Sequence, residues 1–140
     1  MKQVQPFKKS NDTNVRILVL VVDDDPVQVE EIVEFLNNRG ILTAGETKAD
    51  TALEIIFKEN PALVIVDINM PSIDGLHLTE LLRTRRYPGV ILLMSGDLDA
   101  VRKANFLHAK AFAVLEKPIP LKALERYARG VIDRKPGTYQ

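Results

Sequence analysis

The chain has 140 residues, 46% hydrophobic and 27% charged, and its 19 basic and 19 acidic residues leave a formal net charge of zero. This length fits one domain, and the neutral balance argues against a dedicated nucleic-acid or membrane-surface binder, which would carry a basic excess. The absence of cysteine excludes disulfides, thiolate metal sites and cysteine nucleophiles. Because every apolar run is far shorter than the ~20 residues that span a bilayer, we expect a cytoplasmic protein with no membrane segment.

The chain divides into a long patterned region and two short polar ends. Residues 1–14 are polar and lack periodicity, so we expect a flexible N-terminal leader. Residues 15–133 carry the patterned region and predict the single domain. Residues 134–140 are polar and contain Pro-Gly, which is typical of a C-terminal tail or the start of a linker.

Short apolar runs alternate with amphipathic stretches along the patterned region. The runs are rich in aliphatic residues and bounded by polar, Gly or Pro residues, as strands buried on both faces are. The amphipathic stretches repeat apolar residues at helical spacing. The predicted strands are residues 16–22, 41–45, 62–66, 90–94 and 111–115, and the predicted helices lie near residues 29–36, 49–56, 78–82, 100–107 and 121–132.

The residues at the element boundaries agree with this alternation. Asp25 before Pro26 is a helix N-cap followed by proline at the first helical position. Gly40 ends the first helix, and Asp74-Gly75 marks the turn before the third. Strands that alternate with helices predict an α/β fold, a single (βα)5 doubly wound parallel sheet with helices on both faces.

Such a fold predicts where a site lies, because ligands of open parallel sheets bind beyond the carboxyl ends of the strands. The second strand ends in Glu46, which carries no obvious chemistry. The other four strand ends deliver carboxylates, a hydroxyl and an ammonium group. These side chains are Asp23, Asp24 and Asp25 after the first strand, Asp67 after the third, Ser95 and Asp97 after the fourth, and Lys117 after the fifth.

Carboxylates converging at one edge would repel one another unless a cation lay among them. Hard oxygen ligands suit Mg²⁺, which keeps several waters and uses few protein carboxylates. Phosphoryl transfer needs positioning and charge neutralisation, and Asp67 can act as a carboxylate nucleophile beside Lys117 and Ser95. The constellation therefore predicts Mg²⁺-dependent phosphoryl chemistry.

At this point the residues resemble a family, the receiver domain of bacterial response regulators in two-component signalling. The resemblance covers residues 15–133 and implies a chemotaxis-regulator-like fold with the flavodoxin-like strand order 2-1-3-4-5. Each motif alone is common, but four in order, each at a predicted strand end, are specific. The motifs are residues 17–26 ending in Asp23-Asp24-Asp25-Pro26, Asp67-Ile68-Asn69-Met70-Pro71 with Asp74-Gly75, Met94-Ser95-Gly96, and Lys117-Pro118.

The resemblance implies a role for each matching residue. Asp67 corresponds to the phosphoacceptor, Ser95 to the family's hydroxyl residue and Lys117 to its lysine, before a peptide bond that is usually cis. The implied metal residues are Asp24, which binds Mg²⁺ directly, Asp23, which reaches it through water, Asp67, and Asn69, which offers its backbone carbonyl. In the family, the positions of Asn69 and Asp97 tune the lifetime of the acyl phosphate.

Two positions depart from the family pattern. Many receivers carry an aromatic residue three positions before the lysine, where this chain has Val114. Phe112 lies two residues earlier, on the same predicted strand face as Val114. Lys110 stands where a glycine often ends the preceding helix, and a left-handed conformation is costly there.

Several residues have plain structural interpretations. Asp25 fits an N-cap better than a metal ligand, and Asp97 fits a cap of the helix at residues 100–107. His77 and His108 lack acidic or histidine partners at metal spacing. The arginines at residues 83–86 fit a solvated helix C-terminus, where cations complement the helix dipole.

The leading functional prediction is a signalling receiver, not an enzyme acting on outside substrates. We expect a histidine kinase or histidine phosphotransfer protein as phosphodonor. Phosphorylation would act on residues 98–132, the predicted fourth helix, fifth strand and fifth helix, which would bind a downstream protein or form a homodimer. The alternatives are a Mg²⁺-dependent aspartyl-nucleophile phosphohydrolase, a flavin or nucleotide carrier, and a phosphorylation-independent docking module. The phosphohydrolase is disfavoured because such enzymes usually have a second acid two residues after the nucleophile, where this chain has Asn69.

Overall fold

The computed structural model of the chain describes residues 16–97, 99, 100, 102, 111 and 113–133. The strands are β1 (Val19–Val22), β2 (Thr43–Glu46), β3 (Leu63–Asp67), β4 (Val90–Ser95) and β5 (Ala113–Glu116). The helices in the described ranges are α1 (Pro26–Asn38), α2 (Ala49–Glu59), α3 (Gly75–Thr84) and α4 (Leu121–Ile132). All strand pairs are parallel and follow the order β2-β1-β3-β4-β5, which confirms the predicted sheet and its strand order.

The boundaries differ from the predicted ones by up to three residues. β1 begins at Val19 rather than at residue 16, because its ladder with β2 and β3 starts there. β3 and β4 each extend one residue further, to Asp67 and Ser95, so these polar residues are the last members of their strands. Several predictions lie outside the described residues: the leader at residues 1–14, nearly all of the helix at residues 100–107, His108, Lys110, Phe112, and the tail at residues 134–140.

Alternate side chains of the sheet pack into two separate apolar clusters, one on each face. One cluster contains Leu20, Val64 and Ile91 and is covered by α2 and α3. The other contains Val21, Ile65 and Leu92 and is covered by α1 and α4. Burial on both faces explains why the sequences of β1, β3 and β4 read as continuous apolar runs. Within the described part of the chain, none of the helices combines the length and apolarity that a bilayer crossing requires.

The predicted N-caps of α1 and α3 are confirmed by their hydrogen bonds. The Asp25 side chain accepts from the Val27 backbone N–H at 3.0 Å, and the Asp74 side chain accepts from the His77 backbone N–H at 2.8 Å. Gly40 follows α1 with φ +81°, a left-handed conformation that glycine adopts without a Cβ clash. These caps fix where α1 and α3 begin beside the carboxyl edge of the sheet.

The amino edge of the sheet is held by a side-chain network. The buried Tyr87 hydroxyl donates to the Pro61 carbonyl oxygen at 2.6 Å. The Arg83 guanidinium donates to the carbonyl oxygens of Tyr87 at 2.9 Å and Gly89 at 2.8 Å. This network joins the end of α3 to the segments that enter β3 and β4.

The loop after β3 is closed by a backbone contact at Gly75. The Gly75 N–H donates to the Ile68 carbonyl oxygen at 2.7 Å. A Cβ atom at Gly75 would lie 2.6 Å from the Asp67 carbonyl oxygen and 2.8 Å from the Ile68 Cα atom. The start of α3 therefore packs directly on the backbone that carries Asp67.

We expect Gly75→Ala to destabilise the fold by about 1–3 kcal/mol, because the new methyl group overlaps main-chain atoms that cannot rotate away. The matched control is Gly130→Ala in α4, where an added Cβ meets nothing within 4 Å. This control should raise the free energy of unfolding by about 0.5–1 kcal/mol, as alanine does in helices. Urea unfolding of both variants measures the difference, and equal effects would contradict the proposed overlap.

Candidate functional site

The parallel sheet brings four predicted site residues to one edge. Asp23 follows β1 directly, Asp67 and Ser95 end β3 and β4, and Lys117 follows β5. The ladder continues past the strands, because the Ile68 N–H donates to the Met94 carbonyl oxygen at 2.9 Å and the Lys117 N–H to the Ser95 carbonyl oxygen at 2.7 Å. These backbone bonds fix the relative positions of the polar side chains.

Three carboxylates form a compact acidic cluster at this edge. Asp23, Asp24 and Asp67 each place one carboxylate oxygen within 4.8 Å of the others. Asp23 and Asp67 are buried, at 0% and 6% exposure, whereas Asp24 is exposed. Solvent therefore reaches the cluster at Asp24, whereas Asp23 and Asp67 are buried in the protein.

The Lys117 ammonium lies between the two buried carboxylates. Its Nζ atom is 2.9 Å from Asp23 Oδ2 and 3.5 Å from Asp67 Oδ2. Asp23 is also held by the Asp25 N–H, which donates to its Oδ1 atom at 3.0 Å. Three carboxylates and one ammonium leave two uncompensated negative charges at the site.

The electrostatics of the cluster shift two pKa values upward. Burial and the negative charge of Asp23 raise the pKa of Asp67 to about 6, and Lys117 offsets only part of this rise. Burial would lower the pKa of Lys117, but its hydrogen bond to Asp23 and the charges of Asp23 and Asp67 outweigh burial and raise it. Ionisation of Asp67 is therefore less favourable in the folded protein than in water, and a bound cation would reduce this free-energy difference.

The chemistry of this donor set fits Mg²⁺. The three grouped ligand atoms are carboxylate oxygens, the hard donors that Mg²⁺ prefers, and few protein carboxylates are needed because this ion keeps waters. A divalent ion would match the two uncompensated negative charges. The acidic cluster thus fits aspartyl phosphate and Mg²⁺ binding.

A second group of hydrogen bonds surrounds Ser95, which is fully buried. The Asn69 side-chain amide donates to Ser95 Oγ at 2.9 Å, and the Asp97 backbone N–H donates to the same atom at 3.0 Å. The Asn69 backbone N–H donates to Asp67 Oδ1 at 3.2 Å. Asn69 therefore connects the acidic cluster to the hydroxyl group.

The remaining candidates take structural positions. Asp25 caps α1, as expected, and is not one of the three clustered carboxylates. The Glu46 side chain accepts from the backbone N–H groups of Thr47 and Lys48. Val114 packs at the border of the cluster covered by α2 and α3. The Lys117–Pro118 peptide bond is cis, as the family resemblance implied.

Two features of the site were not predicted from the sequence. The side-chain contact between Asn69 and Ser95 joins residues 26 positions apart, and no local pattern indicates it. The close packing of Gly75 on the Asp67 carbonyl was also missed, although the Asp74-Gly75 turn was the signal that could have indicated it.

In metal-free protein, ionised Asp67 should oppose folding, because its folded-state pKa of about 6 lies above its ordinary value of 3.8. This penalty is absent below the lower value and complete above the higher one. We expect Asp67→Asn to be more stable than the wild type by about 1–3 kcal/mol at about pH 8, with the difference shrinking as the pH falls and vanishing below the ordinary pKa of 3.8.

Urea unfolding in EDTA across this pH range measures the effect. Glu54→Gln, which changes an exposed carboxylate on α2, is the matched control and should not reproduce the gain in stability of Asp67→Asn. A difference for Asp67→Asn that is constant with pH would contradict the raised pKa.

Comparisons with known proteins agree with this geometry. The family model described as the response regulator receiver domain matches residues 19–129. The transcriptional regulatory protein AruR of Pseudomonas aeruginosa is 37% identical over 121 residues, which are 83% of this chain and 49% of AruR. The first curated relatives are all longer, and the chain spans from 12% to 49% of their lengths.

Solved structures show the same fold. A response regulator receiver protein from Pseudomonas putida has a TM-score of 0.74 and 31% identity, covering 84% of this chain and 99% of that one. The response regulator TrrA of Thermotoga maritima, in complex with Mg²⁺-BeF, has a TM-score of 0.71 and 28% identity, covering 81% of this chain and 96% of that one. Since the family model spans most of the chain and these neighbours share its fold, the chain belongs to the response regulator receiver domain family of two-component signalling.

Proposed function

We propose that Asp67 is the phosphoacceptor of this receiver and takes its phosphoryl group from a histidine kinase or a histidine phosphotransfer protein. The observation that carries the proposal is the Asp67 carboxylate, held at the sheet edge among Asp23, Asp24 and Lys117. At neutral pH a carboxyl with a pKa of about 6 is mostly ionised, so its oxygen is available as a nucleophile.

Mg²⁺ is the proposed cofactor. Asp24 and Asp67 would hold it through carboxylate oxygens, Asn69 through its backbone carbonyl, and Asp23 through water. The exposed position of Asp24 supports entry from solvent. When bound, the ion would neutralise charge on the phosphoryl oxygens during transfer.

The residues of the chain have distinct roles in the proposed transfer. An Asp67 oxygen forms a bond to phosphorus as the P–N bond of the donor's phosphohistidine breaks, and the leaving imidazole nitrogen takes up a proton from solvent. Lys117, already 3.5 Å from Asp67, would then pair with one phosphoryl oxygen. Ser95 would donate its hydroxyl proton to another.

The proposed output surface is the segment at residues 98–132, of which the structure describes residues 99, 100, 102 and 111, strand β5, helix α4 and the connection between β5 and α4. An open groove of about 540 Å³ lies between β5 and α4. Apolar side chains such as Leu115 and Tyr127 line it, together with Glu116 and Arg126. These properties support docking of a downstream protein or a second copy of the chain. Val114 replaces the usual aromatic residue, so we propose that output does not depend on an aromatic side chain there.

We propose no turnover of outside substrates. A phosphohydrolase of the aspartyl type usually has a second acid two residues after its nucleophile. Here the residue is Asn69, whose amide donates to Ser95 and has no proton-transfer capacity. A domain used only for docking would have no need of the complete set of Asp23, Asp24, Asp67, Ser95 and Lys117.

Acetyl phosphate with Mg²⁺ should add one phosphoryl group to the wild-type chain, as measured by intact mass. We expect no adduct for Asp67→Asn or in EDTA. Asp25→Asn is the matched control and should be phosphorylated, because Asp25 caps α1 and lies outside the cluster. If the wild type forms no phosphoryl adduct and also binds no beryllofluoride, the phosphoacceptor proposal is wrong.

Mg²⁺ should raise the melting temperature of the wild type, since an ion that binds only the folded state stabilises it, by about 2.7 kcal/mol at 100 times Kd. Asp24→Asn should lose most of this increase, because it removes one of the three clustered carboxylates. Asp25→Asn should keep it, as asparagine caps helices about as well as aspartate. Differential scanning calorimetry with and without Mg²⁺ measures the three proteins. An unchanged response of Asp24→Asn would contradict the proposed metal site.

A further inference from the structure

Asn69 contacts two of the groups that the proposed function assigns to the phosphoryl group. Its backbone N–H donates to Asp67 Oδ1 at 3.2 Å, and its side-chain Nδ2 donates to Ser95 Oγ at 2.9 Å. The backbone bond is independent of the side chain. A substitution at this position can therefore remove the second contact and leave the first.

The hydroxyl oxygen of Ser95 is already saturated as an acceptor. A hydroxyl has two acceptor lone pairs and one donor proton. Asn69 Nδ2 and the Asp97 N–H occupy the two lone pairs. The proton has the Asp97 carbonyl oxygen as its acceptor, at 3.4 Å, which is long for a hydroxyl donor and therefore weak.

This arrangement orients the hydroxyl proton of Ser95 away from Asn69 and the loop that follows Asp67. Asn69 presents a donor N–H on that side of Ser95 Oγ, so a lone pair and not the proton points toward the loop. To donate its proton to a phosphoryl oxygen on Asp67, the hydroxyl must release the amide. Ser95 is fully buried, so water does not replace the lost bond easily.

We propose that the Asn69 side-chain amide is a positioning group. It holds Ser95 in the arrangement of the unphosphorylated protein and opposes the rearrangement in which the Ser95 hydroxyl donates to the phosphoryl group. This inference rests on the proposed role of Ser95 in binding the phosphoryl group. A ligand that binds one of two arrangements better shifts the population toward it, and a contact made only in the other arrangement weakens that ligand. The net free energy of one hydrogen bond corresponds to a change in affinity of about 2- to 10-fold.

A double-mutant cycle with beryllofluoride, a phosphoryl mimic, tests the inference. Four proteins are titrated in saturating Mg²⁺ and followed by ¹⁹F NMR of the bound fluoride: the wild type, Asn69→Ala, Ser95→Ala and the double variant. Asn69→Ala should bind beryllofluoride about 2- to 10-fold more tightly than the wild type. In the Ser95→Ala background the same substitution should leave the affinity unchanged, because the contact is already lost.

The control is Ser72→Ala, an exposed change in the same loop, which should leave the affinity at the wild-type value. Weaker binding by Asn69→Ala, or the same change in both Ser95 backgrounds, would overturn the inference, because the amide would then act on the ligand directly. Wild-type protein that binds no beryllofluoride would overturn the proposed function and this inference with it. The two failures are distinguished by the wild-type titration alone.

Discussion

The site depends on one electrostatic balance, the ammonium of Lys117 between the buried carboxylates of Asp23 and Asp67. Two carboxylates at this depth would repel each other strongly without a cation between them. Lys117 relieves part of this repulsion and comes from the far edge of the sheet, so the balance exists only when β5 is paired with β4. The charge balance at the site therefore depends on correct assembly of the sheet.

The balance is incomplete, and this incompleteness is what suits the edge to ligand binding. Asp67 keeps a pKa of about 6 despite the nearby ammonium, because burial and Asp23 outweigh it. A fully neutralised cluster would exert little electrostatic attraction on a divalent ion. Lys117 contacts Asp23 and Asp67, whereas Asp24 is the exposed member of the cluster, where solvent reaches it.

Most of the fold could be predicted because its signals are local. The apolar runs, the Asp25 and Asp74 caps and Gly40 each depend on a few neighbouring residues, and strand ends in a parallel sheet necessarily share an edge. The contact between Asn69 and Ser95 could not be predicted, because it depends on the side-chain geometry between the loop after β3 and the end of β4. The strand limits were less certain for the same reason, since pairing with neighbours defines where β1 begins.

The closed loop after β3 has a consequence for how such a domain diversifies. Its two ends are joined by the Gly75–Ile68 hydrogen bond, and the glycine rests on the Asp67 main chain. Between these anchor points, Pro71 and Ser72 project into solvent. The middle of the loop can therefore vary in shape and polarity without displacing the carboxylate. The exposed middle of the loop and the main chain that carries the carboxylate can therefore change independently within a segment of nine residues, from Asp67 to Gly75.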